Sequence, residues 1–238
     1  MTSLPSRSRS RRERPQEVRL PAVVATVVAI ALYTLLPDEL IVGPRYVVPA
    51  LEVLLLVPLI VVNPWRYSRE TRWSRGVALV LIAVIALANL VALGLTVTAL
   101  VDQSPVAQEP RQLLIAALQI WLTDVLVFAL AFSELDRGGP VARRQRPRRE
   151  LPQADWRFSQ DEDHDAVLEV ARGSSTTSDW VPSLPDYLYV SLTNSSAFSP
   201  TDTMPLTTRA KALMGVEATA ALLTSLLVIA AGVGQLGS

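Results

Sequence analysis

From Gly76 to Val101 the chain runs 26 residues without one acidic or basic side chain. That exceeds the roughly 20 apolar residues a helix needs to cross the hydrocarbon core of a bilayer. So long an uncharged run predicts a membrane-spanning helix, with Asn89 near its middle. Four further apolar runs follow the same logic: Leu20 to Leu36, Tyr46 to Val62, Leu113 to Phe132, and Ala212 to Val233. The second carries Pro49 and Pro58, which kink a helix but are tolerated where neighbouring helices satisfy the freed carbonyls. The expected fold is all-α: a polytopic membrane helix bundle of about five transmembrane helices.

Composition agrees with this. Half of the 238 residues are apolar, yet only 6% are aromatic, so Ala, Val and Leu carry the hydrophobicity. The absence of cysteine excludes disulfides, thiolate metal sites, iron–sulfur clusters and cysteine nucleophiles. The first run begins after a basic stretch, as a secretory signal does. It ends Tyr33-Thr34-Leu35-Leu36-Pro37, without the small-x-small site that cleavage needs, and is therefore expected to be the first membrane helix.

The loops orient the bundle. Residues 1–19 contain Arg7, Arg9, Arg11, Arg12, Arg14 and Arg19 and too little apolar surface to fold, so they are expected to be a disordered basic tail. Beside a membrane helix such a tail attracts anionic lipid headgroups, and no nucleic-acid partner is expected. With five spans, the tail, the 63–75 loop and the 134–211 region fall on one side. That side holds 20 of the 22 basic residues, leaving Arg45 and Arg111 opposite. Basic flanks stay in the cytoplasm. The chain is thus expected in the cell membrane, N-terminus cytoplasmic and C-terminus external, with the lipid bilayer and a second copy of itself as candidate partners.

Four regions result: the tail (1–19), a four-helix membrane region (20–133), a polar cytoplasmic segment (134–182), and a hairpin with the last span (183–234). In the third, Gly138-Gly139-Pro140 breaks the fourth helix and an arginine run follows. The acidic run Asp161 to Asp165, with the sole histidine at His164, lacks the glycine of a calcium loop and is expected to be a solvated patch facing those arginines, so no metal site is assigned. Gly173 to Ser178 has the composition of a linker.

In the last region, Ser183 suits an N-cap with Pro185 and Asp186 in the first turn. A helix from Leu184 would end near Ala197, stopped by Pro200. At about 1.5 Å per residue it spans about 20 Å, too short to cross. A short re-entrant or interfacial helix is expected, followed by a polar turn with Ser199, Thr201, Asp202 and Thr203. Asp202 is expected to cap the last helix, or to draw cations to a vestibule.

The stretch Tyr189-Val190-Ser191-Leu192-Thr193, continuing through Asp202-Thr203-Met204-Pro205 to Arg209, resembles the pore helix, filter and inner-helix start of potassium-channel pores. The whole pattern also resembles an uncharacterised family of actinobacterial multi-pass membrane proteins, with Glu134-Leu135-Asp136-Arg137-Gly138-Gly139-Pro140 upstream. The channel resemblance implies an ion-channel-like role and makes Thr193, Ser199, Thr201, Asp202 and Thr203 candidate pore or cation-contacting residues. Where the potassium filter would stand, this chain has Ala197-Phe198-Ser199-Pro200-Thr201, so the usual potassium selectivity is not expected.

Glu52, Asn89, Gln119, Asp124 and Glu217 lie inside the apolar runs. A charged side chain at the bilayer centre costs on the order of 3 kcal/mol even on the lenient insertion scale, so these residues should face the bundle or a wet cavity. Two functions compete. Ion or proton transport predicts that the hairpin and the intramembrane acids converge. A membrane scaffold predicts an exposed 134–182 segment and no polar pathway. No Gly-x-Ser-x-Gly, His-Glu-x-x-His, phosphate-loop or dinucleotide motif occurs, so neither an enzyme nor a cofactor is expected.

Overall fold

A computed structural model describes residues 16–41, 43–62, 65, 71–103, 109–162, 167–197 and 202–236. The Arg-rich tail through residue 15, His164 with its neighbours, and the 198–201 turn lie outside the described residues. Among the described residues the chain is all-α apart from one two-residue antiparallel ladder, in which β1 (Trp156–Arg157) pairs with β2 (Met204–Pro205). The longer helices are α1 (Leu20–Thr34), α2 (Val47–Val62), α3 (Arg72–Val101), α4 (Pro110–Leu135), α5 (Leu184–Ala197) and α6 (Thr208–Leu236).

Several helices begin earlier than their apolar runs because polar residues cap them. At α3 the Ser74 N–H donates to Thr71 Oγ1 and the Thr71 N–H donates to Ser74 Oγ, both at 3.1 Å. This reciprocal pair satisfies two donors that a helix start leaves open. Pro110 starts α4, where its missing N–H costs nothing. Thr207 caps α6, its Oγ1 accepting the Ala210 N–H at 3.3 Å. Asp202, expected in that role, stands upstream of β2, and the strand separates it from the helix start.

Among the described residues three helices, α3, α4 and α6, are long and apolar enough to cross a membrane. The other two expected spans, α1 and α2, are equally apolar but have 15 and 16 residues. They reach about 22–24 Å at 1.5 Å per residue.

Helix α4 is the axis of the bundle, packed against α1, α3, α5 and α6. From Thr123 to Ser133 every residue but Leu126 is buried, as expected of a helix enclosed on all sides. The core has two parts. One gathers Ile30, Leu56, Leu59, Ile85, Val127, Phe132, Tyr187 and Met214; the other gathers Tyr33, Leu36, Leu40, Ala92, Ala116, Ile120, Ala220 and Leu227. Along α3, α4 and α6 the changeover between them falls at Asn89, Asp124 and Glu217.

Within residues 134–182, Arg146, Arg148, Arg149 and Glu150 are exposed as expected, but the aromatic residues turn inward and close the first core as a packed cap. Trp156 is wholly buried, its ring 4.7 Å from that of Phe132 and 6.3 Å from that of Tyr187. Phe158 lies edge-on to both Tyr187 and Trp180. The chain enters this cap through consecutive left-handed residues, Arg137, Gly138 and Gly139, at φ of 52°, 84° and 92°. A Cβ at Gly138 would in addition stand 3.1 Å from Ala142 Cβ, a tight contact on top of the positive φ that favours glycine there. The stretch read as a linker is likewise built in: Ser174 caps a single helical turn, and the Ser175 hydroxyl donates to Asp161 at 2.6 Å. Asp161 in turn pairs with Arg137 at 2.6 Å, so it serves the cap rather than a solvated patch.

Candidate functional site

A polar layer lies between the two apolar clusters. Ser191, Asn194 and Ser195 are spaced three and four residues apart, which puts them on one face of α5. That face meets Glu217 of α6, whose side chain has 0% exposure. Glu217 Oε2 accepts from Asn194 Nδ2 at 2.7 Å, and Oε1 accepts from Ser195 Oγ at 3.1 Å. Ser191 Oγ contacts the same Oε1 and also donates to the Val125 carbonyl at 2.8 Å. Asn194 further donates to Met214 O at 3.0 Å. The short helix is thereby riveted to both α4 and α6.

Asp124, next to Val125 and also at 0% exposure, lies within electrostatic reach of Glu217. Its Oδ1 accepts from Asn89 Nδ2 at 2.8 Å, and the same amide reaches Ile120 O at 3.0 Å. Its Oδ2 is buried without a hydrogen-bond partner among the described residues. Glu52 of α2 is more isolated. It is 1% exposed, neither carboxyl oxygen has a partner among the described residues, and Tyr33 lies within electrostatic reach. Buried polar atoms without partners are rare and costly, so these oxygens mark places where a proton or ion would be welcome.

The residues suggested by the channel resemblance are arranged differently. Thr193 turns away from the layer and donates to its own helix, at Tyr189 O and Val190 O. Asp202 is exposed, with the Tyr189 hydroxyl 3.5 Å from Oδ2, and Thr203 is buried beside β2. Ser199 and Thr201 lie outside the described residues. Gln119 is partly buried on α4, with Oε1 unpartnered among the described residues. Sequence reasoning expected Asn89, Asp124 and Glu217 to face the bundle or a wet cavity but missed Ser191, Asn194 and Ser195 as partners of Glu217. Their spacing was the available signal.

At the capped end a second network holds α5 in place. Arg143, at 0% exposure, donates to Ser133 O and, at 2.8 Å, to Ser133 Oγ; it pairs with Glu17 at 3.1 Å and lies over the Tyr187 ring at 5.0 Å. The other oxygen of Glu17 accepts the Leu184 N–H at 2.9 Å, capping α5 from a residue just ahead of α1. Asp136 accepts the Tyr187 hydroxyl at 2.6 Å and the Asp155 N–H at 2.7 Å. Asp155 holds Arg209 and Thr207 at the start of α6.

Burial raises the Asp136 carboxyl above its ordinary 3.8, with the Arg137 charge and the bonds from Tyr187 and the Asp155 N–H pulling the other way. A raised acid keeps its proton in the folded state over a range where the unfolded chain has lost it. Its contribution to stability is therefore full below that ordinary value and is lost as pH rises through the folded one. Asp136→Asn removes this titration. Thermal unfolding in detergent is expected to lose less stability per pH unit in the variant, by at most about 1.4 kcal/mol.

The fold is that of an all-α protein with membrane-length helices and a buried polar layer that holds two acids. No family model, curated protein or solved structure matches the chain.

Proposed function

We propose that this is an integral membrane protein with five crossing helices and a re-entrant hairpin built on α5, and that it passes protons or small cations through the layer around Asp124 and Glu217. The convergence of the hairpin face of Ser191, Asn194 and Ser195 with these two acids carries the proposal. Transport predicts that meeting, and a scaffold has no need of it. The outward faces support the membrane setting, since Leu54, Val61, Leu87, Leu118, Leu226 and Ile229 are each more than half exposed. Thinning of the bilayer and interfacial flanking residues accommodate the shorter α1 and α2.

The chemistry suits a proton. The Ser191 hydroxyl has one hydrogen and two acceptors in reach, Val125 O and Glu217. A proton taken up by Glu217 restores the second link, and its loss returns the first state. The likeness to a potassium-channel pore segment is retained as a short helix entering from one side, with Ser191, Asn194 and Ser195 rather than Thr193 facing the site.

Two experiments test this. The chain has no cysteine, so single introduced cysteines report topology cleanly. A membrane-impermeant maleimide added to intact cells is expected to label Asp38→Cys, between α1 and α2, and not Arg149→Cys, in the cap; the reverse pattern would invert the orientation. In liposomes holding a pH-sensitive dye, the protein is expected to dissipate an imposed proton or sodium gradient faster than empty vesicles. Asp124→Asn is expected to abolish the difference. No flux above empty vesicles for either ion removes the transport reading.

A further inference from the structure

Glu52 takes no part in the hydrogen bonds around Asp124 and Glu217. It is the sixth residue of α2, about 8 Å from the start of that helix at 1.5 Å per residue. Helix α2 packs against α3 and α1. The Glu52 side chain is 1% exposed, and neither carboxyl oxygen meets a donor among the described residues. The titratable group facing it from α1 is Tyr33, also buried and one residue from the end of its helix. Helix α3 offers none, since Gly76 to Val101 holds no acid, base or tyrosine, and α2 has no other. Helix α1 starts beside the Glu17–Arg143 pair at the cap, so its Tyr33 end lies away from the cap.

A carboxylate enclosed in this way has given up water and gained no donor in exchange. Such a group escapes the cost by holding a proton, because only the neutral form tolerates apolar surroundings. The neutral form lets α2 close on its neighbours. The charged form has to reach water, and Pro58 gives α2 the means. Its missing N–H leaves the Leu54 carbonyl without a helical partner, so the two turns that carry Glu52 can swing about that gap. We infer that Glu52 is a second proton-binding site, towards the end of the bundle away from the cap, and that its proton keeps α2 closed on α1 and α3.

Two measurements on full-length protein in liposomes test this, and neither reads flux. The first is infrared absorption by the C=O of neutral carboxyl groups. Glu52→Gln is expected to remove part of the wild-type band, and that part is expected to disappear reversibly as pH rises. The second places spin labels on Val47→Cys of α2 and Leu87→Cys of α3, both outward-facing in a chain without other cysteines. In the protein that keeps Glu52, the distance between the labels is expected to lengthen as that part of the band is lost. In Glu52→Gln and Glu52→Leu it is expected to stay at its low-pH value throughout. The same infrared band in Glu52→Gln as in the wild type, or a label distance in the Glu52 protein that is equal at acid and alkaline pH, overturns the proposal. Asp124→Asn is expected to abolish flux and leave both results unchanged, which separates this proton from those passed at Asp124 and Glu217.

Discussion

Replacing Arg143 with methionine is expected to cost about 3–5 kcal/mol, the usual penalty when one partner of a buried ion pair is removed. The side chain is fully enclosed and joins Ser133, Glu17 and the Tyr187 ring. Methionine fills much of the volume but leaves the Glu17 carboxylate buried without a counter-charge. Glu17 also caps α5, so the loss should spread to the re-entrant helix. The measurement is thermal unfolding in detergent alongside the amount of protein recovered from membranes. The double variant Glu17→Gln, Arg143→Met removes both charges and is expected to recover part of the loss. Equal stability of Arg143→Met and the wild type would show that the pair does not hold the cap.

The second large effect concerns transport. Glu217→Gln keeps the volume and an acceptor oxygen for Ser191 and Ser195 but turns an amide N–H toward Asn194 Nδ2, so it is expected to lose on the order of 1–3 kcal/mol. It cannot ionise, and gradient dissipation in liposomes is expected to fall about a hundredfold, the lower end of what a positioned proton-transfer group contributes. Glu217→Leu removes the acceptor as well. Ser191 retains Val125 O and Asn194 retains Met214 O, whereas Ser195 loses its Glu217 partner. This variant is expected to lose on the order of 1–3 kcal/mol as well as the flux. Wild-type flux in Glu217→Gln would move the proton path elsewhere and leave Glu217 as a clamp for α5.

The helices were legible because hydrophobic runs and end signals are local. Gly76 to Val101 announced α3, and Ser183 marked the start of α5, while the Pro200 stop lies outside the described residues. Helix starts were read late where polar caps lie outside the apolar run, as at Thr71 and Thr207. Asp202 looked like the cap of the last helix because it precedes a proline; Met204–Pro205 instead forms a strand, and the helix begins after it. That the intramembrane polar residues turn inward followed from the cost of exposing them to lipid. The cap did not follow, because composition averages over a segment. Residues 134–182 read as polar, yet their few aromatics, Trp156, Phe158 and Trp180, all turn inward. Least legible was the Glu17–Arg143–Leu184 junction, whose members are 126 and 167 positions from Glu17. No spacing rule reaches that far.

That junction has a consequence for how the protein is made. Glu17 precedes the first helix to leave the ribosome, yet the backbone N–H it captures belongs to Leu184, late in synthesis. Until then its carboxylate has at most Arg143, and the four earlier helices pack around α4 without the short helix that Glu17 caps. Nascent chains arrested before α5 should therefore be open to protease at the 134–182 region, and release of the last quarter of the polypeptide should close it in one step.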